Sequence, residues 1–346
     1  MSELTNLRRI LVVRTDRLGD MVLTLPLIQE ITRQLPKADI DVMCRPYTAP
    51  LLERHPAVSG VITVDYAAPG GLRTAVRKIR AGRYDAAVVV HPTARDTLAV
   101  RAAGIPVRAG NGYRWYSFLY NRRVSFHRSE AKRHELGYNL LYLTGLGLEY
   151  PNRAPLPYVP LLDSDFSAAR ELLGDFADDG YVVIHPGSGG SSLNWPTAYY
   201  AELAARLAKE TGRTIVTTGG PEEAAAAGEV ARAADGVSFA GRTDFGALLG
   251  VLAGAALFVS GNTGPMHLTA ALGRPVAALF SPLKSGSPAR WRPVGGPSRV
   301  LTPPGYACDK CPGEKCPDFN CMEKLTVEDL FEAATGLLGE TTGNYK

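Results

Sequence analysis

The chain has 346 residues, 45% hydrophobic and 21% charged, with 38 basic against 34 acidic side chains and a formal charge of +4. That balance excludes a disordered or collagen-like chain and fits a soluble protein of roughly two domains of ~100–200 residues each. The longest near-continuous apolar stretch, Phe245 to Val259, is diluted by Gly and Ala and falls short of the ~20 apolar residues of a membrane span.

The N-terminal MSELTNLRRI lacks the apolar core of an export signal, so a cytoplasmic location is expected. Strands are predicted over Ile10–Val13, Ile40–Met43, Val61–Val64 and Ala86–Val90, alternating with segments of helical period. The pattern restarts with Tyr181–Ile184, Thr214–Thr218, Val237–Ala240, Leu257–Ser260 and Val276–Phe280. Near-continuous apolar strands between helices imply parallel sheets covered on both faces, an α/β fold with two doubly wound domains. The prolines of PNRAPLPYVPLLDSD mark the linker. The expected domains are 1–160 and 161–325, followed by a C-terminal helix and tail, 326–346, with room to pack back on the N-terminal domain. A helix is expected after Trp195-Pro196-Thr197, with Tyr199, Leu203 and Leu207 on one face and Lys209 and Gly212 at its end.

The usual nucleotide fingerprints, GxGxxG and GxxxxGK[ST], are missing. Chemistry concentrates instead at strand-to-helix turns, where open α/β sheets bind their ligands. The first turn is Arg14-Thr15-Asp16-Arg17-Leu18-Gly19-Asp20. There Gly19 is expected to turn the backbone and Asp20 to stand at a helix N-terminus, as a general base or as a helix cap. Asp16 is the alternative carboxylate, or a partner of Arg14 or Arg17. The second turn, His185 to Ser192, carries Ser188 and Gly189, whose loop suits phosphate oxygens. In the third, Ser260 to His267, Pro265 fits a first helical position and Thr263 or Gly264 the cap. His267 sits where the helix dipole disfavours its charged form. Glu222, in Gly219-Gly220-Pro221-Glu222, is a candidate to accept from a ribose or base amine, with a helix-dipole partner as the alternative.

Cys308, Cys311, Cys316 and Cys321 form C-x₂-C-x₄-C-x₄-C. Four thiolates would complete a structural Zn or Fe site; reduced structural thiols are the competing reading. Basic and aromatic residues between Tyr113 and His134 suit an anionic saccharide or lipid head group, with a solvated basic face as the alternative.

Taken together, RTDRLGDMVLTLPLI, HPGSGGSSLNWP, SGNTGPMHLTAALGRP and the final CMEKLTVEDL resemble the glycosyltransferase family 9 enzymes, the ADP-heptose:lipopolysaccharide heptosyltransferases. The resemblance implies a GT-B architecture of two facing Rossmann-like domains, the acceptor bound by the first and the donor by the second. It implies inverting transfer of a heptose or related sugar from an ADP-sugar to a lipopolysaccharide-core or other anionic, lipid-linked saccharide. It further implies Asp20 as the general base and Ser188, Gly189, Glu222, Asn262, Thr263, Gly264 and His267 as donor contacts. No cofactor is expected for catalysis and no nucleic-acid partner, while peripheral contact with the inner membrane surface is. The chain departs from the family pattern at Leu193, where a Lys is frequent, and at Asn262, where an Asp is. Lys284, Arg290 and Arg292 are candidates to replace the missing cation. A nucleotide-sugar epimerase and a non-catalytic nucleotide-sugar-binding protein are the alternatives.

Overall fold

The structure, a computed structural model, describes residues 7–177 and 180–343. The chain divides into two compact units, Met1–Pro160 and Leu161–Lys346. In chain order the first unit contains β1 (Arg9–Val13), α1 (Leu18–Val22), α2 (Leu25–Gln34), β2 (Asp39–Cys44), α3 (Ala49–Glu53), β3 (Gly60–Thr63) and α4 (Gly71–Gly82). It continues with β4 (Ala86–Val89), α5 (Ala94–Ala102), β5 (Val107–Asn111), β6 (Arg122–Val124) and α6 (Glu135–Leu140). Its sheet is six-stranded, in the order β3-β2-β1-β4-β5-β6, and every pairing is parallel.

The second unit opens with α7 (Asp163–Leu173), β7 (Tyr181–His185), α8 (Thr197–Thr211), β8 (Thr214–Thr217), α9 (Ala224–Arg232), β9 (Val237–Ser238) and α10 (Phe245–Gly254). Then come β10 (Leu257–Gly261), α11 (Gly264–Ala271), β11 (Val276–Leu279), α12 (Pro288–Trp291), β12 (Ser298–Leu301) and α13 (Val327–Gly343). Its six strands run β9-β8-β7-β10-β11-β12, again all parallel. Both sheets follow one rule: the first strand is central, the next two lie to one side and the last three to the other. The winding reverses between β1 and β4 and between β7 and β10, and the crevice outside the carboxyl ends at such a reversal is where ligands of open α/β sheets bind.

The central strands are apolar and covered on both faces: Ile10 to Val13 and Val182 to Ile184 are wholly buried, each such side chain contributing roughly 1.5–3 kcal/mol. Three strands escape the apolar pattern, because β5, β6 and β12 carry arginines and lie at or next to a sheet edge. Arg108, in β5, turns its guanidinium to the carbonyls of Leu119 and Ile105 at 3.0 and 2.6 Å. The basic and aromatic segment from Tyr113 to His134 contains the edge strand β6.

Helix punctuation follows the sequence closely in α8, where Leu203 and Leu207 are buried and Gly212 closes the helix at φ +67°. Leu330, Ala334 and Leu337 of α13 are wholly buried in the core of the second unit, against α8, β10, β11 and β12, so the apolar face of the C-terminal helix packs within its own unit. Thr326 and Asp329 cap it reciprocally, through Oγ1 and Oδ2 at 3.2 and 2.9 Å from each other's N–H. Just before that cap, the Leu325 carbonyl accepts the Trp195 indole N–H at 2.9 Å.

Candidate active site

In the first unit the loop after β1 and the loop after β4 flank the sheet's reversal point. The first loop is pinned by Thr15, whose hydroxyl donates to Asp96 at 2.6 Å; Asp96 is wholly buried and also accepts from Tyr66 at 2.7 Å. Asp20 is the third residue of α1, and that helix has no side-chain cap, so the capping reading fails. Gly19 lies within α1 and not in a left-handed turn, which corrects its expected role: the bend comes earlier, at the extended Arg17.

The Asp20 carboxylate accepts instead from Nη2 of Arg14. Arg14 is only 1% exposed and is the hub of a network that sequence reasoning mostly missed. Its Nε donates to Asp16 at 2.7 Å, and its Nη1 reaches Asn139 at 3.1 Å and the buried Glu135 at 3.3 Å. Arg128 closes the network, 3.1 Å from Glu135 and donating to Asn139 at 2.9 Å and to the Val90 carbonyl at 2.9 Å. Arg128, grouped from sequence with the basic residues facing an acceptor, is thus largely a structural residue.

Asp16, Asp20 and Glu135 face Arg14 and Arg128, so carboxylates outnumber guanidiniums. Burial raises the Asp20 carboxyl to about 6, opposed by Arg14 and reinforced by Asp16 and Glu135. For Arg14, burial opposes the charge, but the carboxylates of Asp16, Asp20 and Glu135 outweigh it and the guanidinium stays charged. His91, from the loop after β4, has Nδ1 3.2 Å from Asp16. Burial and the positive charge of Arg14 push it down to about 4, so it is neutral at pH 7. The assembly is a carboxyl poised near neutrality on a rigid cationic support, an arrangement suited to general-base work.

In the second unit the loops after β7 and β10 flank the corresponding reversal point. The first runs His185 to Ser192, with Gly189 and Gly190 left-handed at φ +51° and +70°. It is organised by Glu223, which accepts the N–H of Gly189 at 2.9 Å and of Gly220 at 2.8 Å. Burial works against the Glu223 carboxylate, but those N–H groups outweigh it and hold its pKa below the usual value. A Cβ on Gly187 would sit 1.9 Å from Glu223 Oε1, so any larger residue there displaces that carboxylate from the loop. His185 is buried with Nδ1 3.1 Å from the Thr218 hydroxyl, and burial lowers its pKa. The Ser188 hydroxyl donates to the Ser192 carbonyl at 3.1 Å. Glu222, the residue singled out from sequence, is exposed; the neighbouring Glu223 shapes the loop. The missed signal was the reach of a carboxylate three residues after Gly220, as in a capping box.

On the other side of the reversal, Thr263 caps α11, its Oγ1 accepting the Met266 N–H at 3.4 Å. Gly264 takes the first helical position and Pro265 the second, one later than expected. The two loops meet where the Ser191 hydroxyl donates to the Asn262 carbonyl at 3.0 Å. Asn262 directs Nδ2 toward the Gly286 carbonyl at 3.5 Å. His267 is buried and lies edge-on to Trp291, ring centroids 6.3 Å apart; Arg290 covers the same indole at 4.6 Å. The short helix α12 thus brings Trp291, with the Arg290 guanidinium over it, up to His267 in the first turn of α11, while Leu193 packs toward the core. Lys284, another candidate cation, points instead to Asp309 at 3.9 Å.

The cysteine segment lends the metal reading no support: Cys308, Cys316 and Cys321 are half-buried and Cys311 exposed, and among the described residues no group of three or more His, Cys, Asp or Glu side chains is placed to hold a metal ion. No helix among the described residues is long and apolar enough to cross a membrane.

The model of the family described as "Glycosyltransferase family 9 (heptosyltransferase)" matches residues 72–321. The chain belongs to glycosyltransferase family 9. Among its relatives is a Haemophilus influenzae protein named for glycosyltransferase activity without a stated sugar, 29% identical over 83% of this chain and 86% of its own length. Lipopolysaccharide heptosyltransferase 2 of Escherichia coli is 28% identical over 85% and 87%. The solved structure of the E. coli ADP-heptose lipopolysaccharide heptosyltransferase II superposes with a TM-score of 0.80 at 25% identity, covering 96% of this chain and 99% of that one. This family 9 member is therefore a glycosyltransferase with the two-sheet α/β architecture of the GT-B heptosyltransferases.

Proposed function

We propose that this glycosyltransferase transfers a heptose, or a closely related sugar, from an ADP-sugar to an anionic saccharide of the lipopolysaccharide core, with inversion at the anomeric carbon. The observation that carries the reading is the environment of Asp20: a buried carboxyl beside Arg14, pushed up to about 6, at the reversal point of the first sheet. In this mechanism Asp20 takes the proton of the attacking acceptor hydroxyl as the sugar's bond to ADP breaks, a role typically worth ~10²–10⁴-fold. Arg14 holds the carboxylate in place and keeps it from becoming too weak an acid to ionise.

The donor diphosphate would lie against the Ser188–Gly189 loop and the N-terminus of α11 at Thr263 and Gly264, where preorganised dipoles stabilise charge on the departing ADP. Asn262 and His267 would add neutral hydrogen bonds, Arg290 the cation that Leu193 does not supply, and the exposed Glu222 a contact to ribose or base. The E. coli structure named for ADP-heptose supports the adenine base and the heptose. For the acceptor, Arg114 and Trp115 are exposed, Trp115 by 80%, and Tyr113 stacks on His127 at 3.7 Å. They would meet its sugars and phosphates at the inner membrane face, on the cytoplasmic side.

Calorimetric titration with ADP, UDP and GDP, followed by incubation with ADP-heptose and a lipopolysaccharide-core acceptor, tests the reading. Tighter binding of UDP or GDP would reject the base assignment. Isomerised nucleotide-sugar without ADP release would make the protein an epimerase, and binding without turnover would make it a binding protein.

A further inference from the structure

Away from the reversal point, the first unit carries a groove of about 860 Å³ between α4 and α5. Its walls are guanidinium groups: Arg73, Arg77, Arg80 and Arg83 line it, and no acidic residue does. Arg73, Arg77 and Arg80 recur at i, i+4 and i+7 and so project from one face of α4, along a helix roughly 18 Å long. Like charges at this spacing destabilise a helix, and the segment from Gly71 to Arg83 contains five basic residues and no acid to offset them. The one acid of α5, Asp96, is wholly buried and bonded inward to Thr15 and Tyr66. Arg80 donates to the Ala102 carbonyl at 2.8 Å. Among the described residues no carboxylate pairs with any of these four guanidiniums. The floor between them is apolar, built from Val76 and Leu98, and Leu98 is 45% exposed.

We infer that this α4–α5 face is the surface by which the protein lies against an anionic lipid bilayer. An apolar strip flanked by cations matches the two features such a surface presents together, phosphate oxygens and an acyl boundary just beneath them. Arginine suits the first by its bidentate fit to phosphate and the second by its long apolar stem. A soluble nucleotide would need donors converging on one point, and these four are spread along three helical turns. Choosing a bilayer over another polyanion rests on the lipid-linked acceptor proposed above, which such a contact would bring within reach of the enzyme.

The test is sedimentation of the full chain with vesicles of phosphatidylcholine alone and of phosphatidylcholine mixed with phosphatidylglycerol, at low and high salt. The expected result is binding to the mixed vesicles only, weakened by salt, with partition lowered about tenfold in Arg73→Gln/Arg77→Gln and lowered also in Leu98→Gln. Both variants should keep the melting temperature and ADP affinity of the wild type, which separates loss of this surface from loss of fold. Failure of the wild type to sediment with mixed vesicles would overturn the inference. So would binding that survives the double substitution, or loss confined to Arg114→Gln/Trp115→Ala, which would move the contact to the neighbouring loop. Binding to polyglutamate but not to vesicles would point to an acidic protein and overturn it as well. Absence of transfer from ADP-heptose, with vesicle binding intact, would instead count against the proposed reaction alone.

Discussion

Arg14 donates through Nη2 to the carboxylate of Asp20 while itself only 1% exposed. Three carboxylates stabilise the charge of a guanidinium placed that deep, while burial raises the Asp20 carboxyl and Arg14 opposes that rise. Asp16 and Asp20 therefore share one cation from different surroundings, and substitutions at the two positions have distinct signatures.

Asp20→Asn should lower turnover by ~10²-fold or more and leave ADP affinity nearly unchanged, because general-base interactions are made mainly in the transition state. Asp16→Asn, which loses one bond to Arg14 but not the base, should fall much less. Measuring kcat and calorimetric ADP affinity for both decides the assignment; a collapse confined to the Asp16 variant would transfer the role.

The pH dependence has a definite sign. Asp20 has its folded pKa raised from 3.8 to about 6. Its contribution to stability is thus fully present below about 3.8 and lost as pH rises through about 6. Relative to Asp20→Asn, the wild type should lose on the order of 1–3 kcal/mol over that window. Turnover should move oppositely, rising with an apparent pKa near 6 as the base ionises. Denaturant titrations and kcat measured across that pH range check both; a flat kcat profile would detach Asp20 from the rate.

In the second unit, Glu223→Ala should lower both the melting temperature and ADP affinity. It strips the acceptor from the N–H groups of Gly189 and Gly220, and charge-assisted bonds of this kind are worth roughly 1.5–3 kcal/mol. Glu222→Ala should weaken ADP several-fold with no thermal effect. Thermal shift and calorimetry on the pair show which carboxylate shapes the loop and which touches the donor. Gly187→Ala, driven into Glu223 Oε1, should resemble Glu223→Ala.

Protein purified without chelator should carry well under one equivalent of Zn or Fe by elemental analysis, and chelator should leave its melting point unchanged. One equivalent of either metal, lost together with stability, would restore the four-thiolate site.

Much of the architecture was legible because parallel strands buried on both faces are written as apolar runs, as in Ile10–Val13 and Tyr181–Ile184. The strands that were missed, β5, β6 and β12, sit at or beside sheet edges, where arginines are tolerated and the apolar signal disappears. Asp20 was legible from its turn. Its environment was not, since Glu135 and Asn139 lie more than a hundred residues away and meet Arg14 only through the tertiary fold. Glu222 and Glu223 differ by one position in sequence, yet only one turns back under the glycine loop, a choice made by the short helical turn that follows Gly220.

The burial of α13 in the core of the second unit bears on how the protein is made. Leu330, Ala334 and Leu337 are wholly buried there, and the loop carrying Trp195 is tied to the Leu325 carbonyl just ahead of them. That core cannot close on the ribosome until Leu337 has been translated and has emerged, whereas the first unit's residues are by then long free of the ribosome and can fold. Nascent chains stalled before Leu330 should therefore present a folded first unit followed by an exposed, chaperone-dependent second one, and a stop codon there would leave a product without a completed second unit.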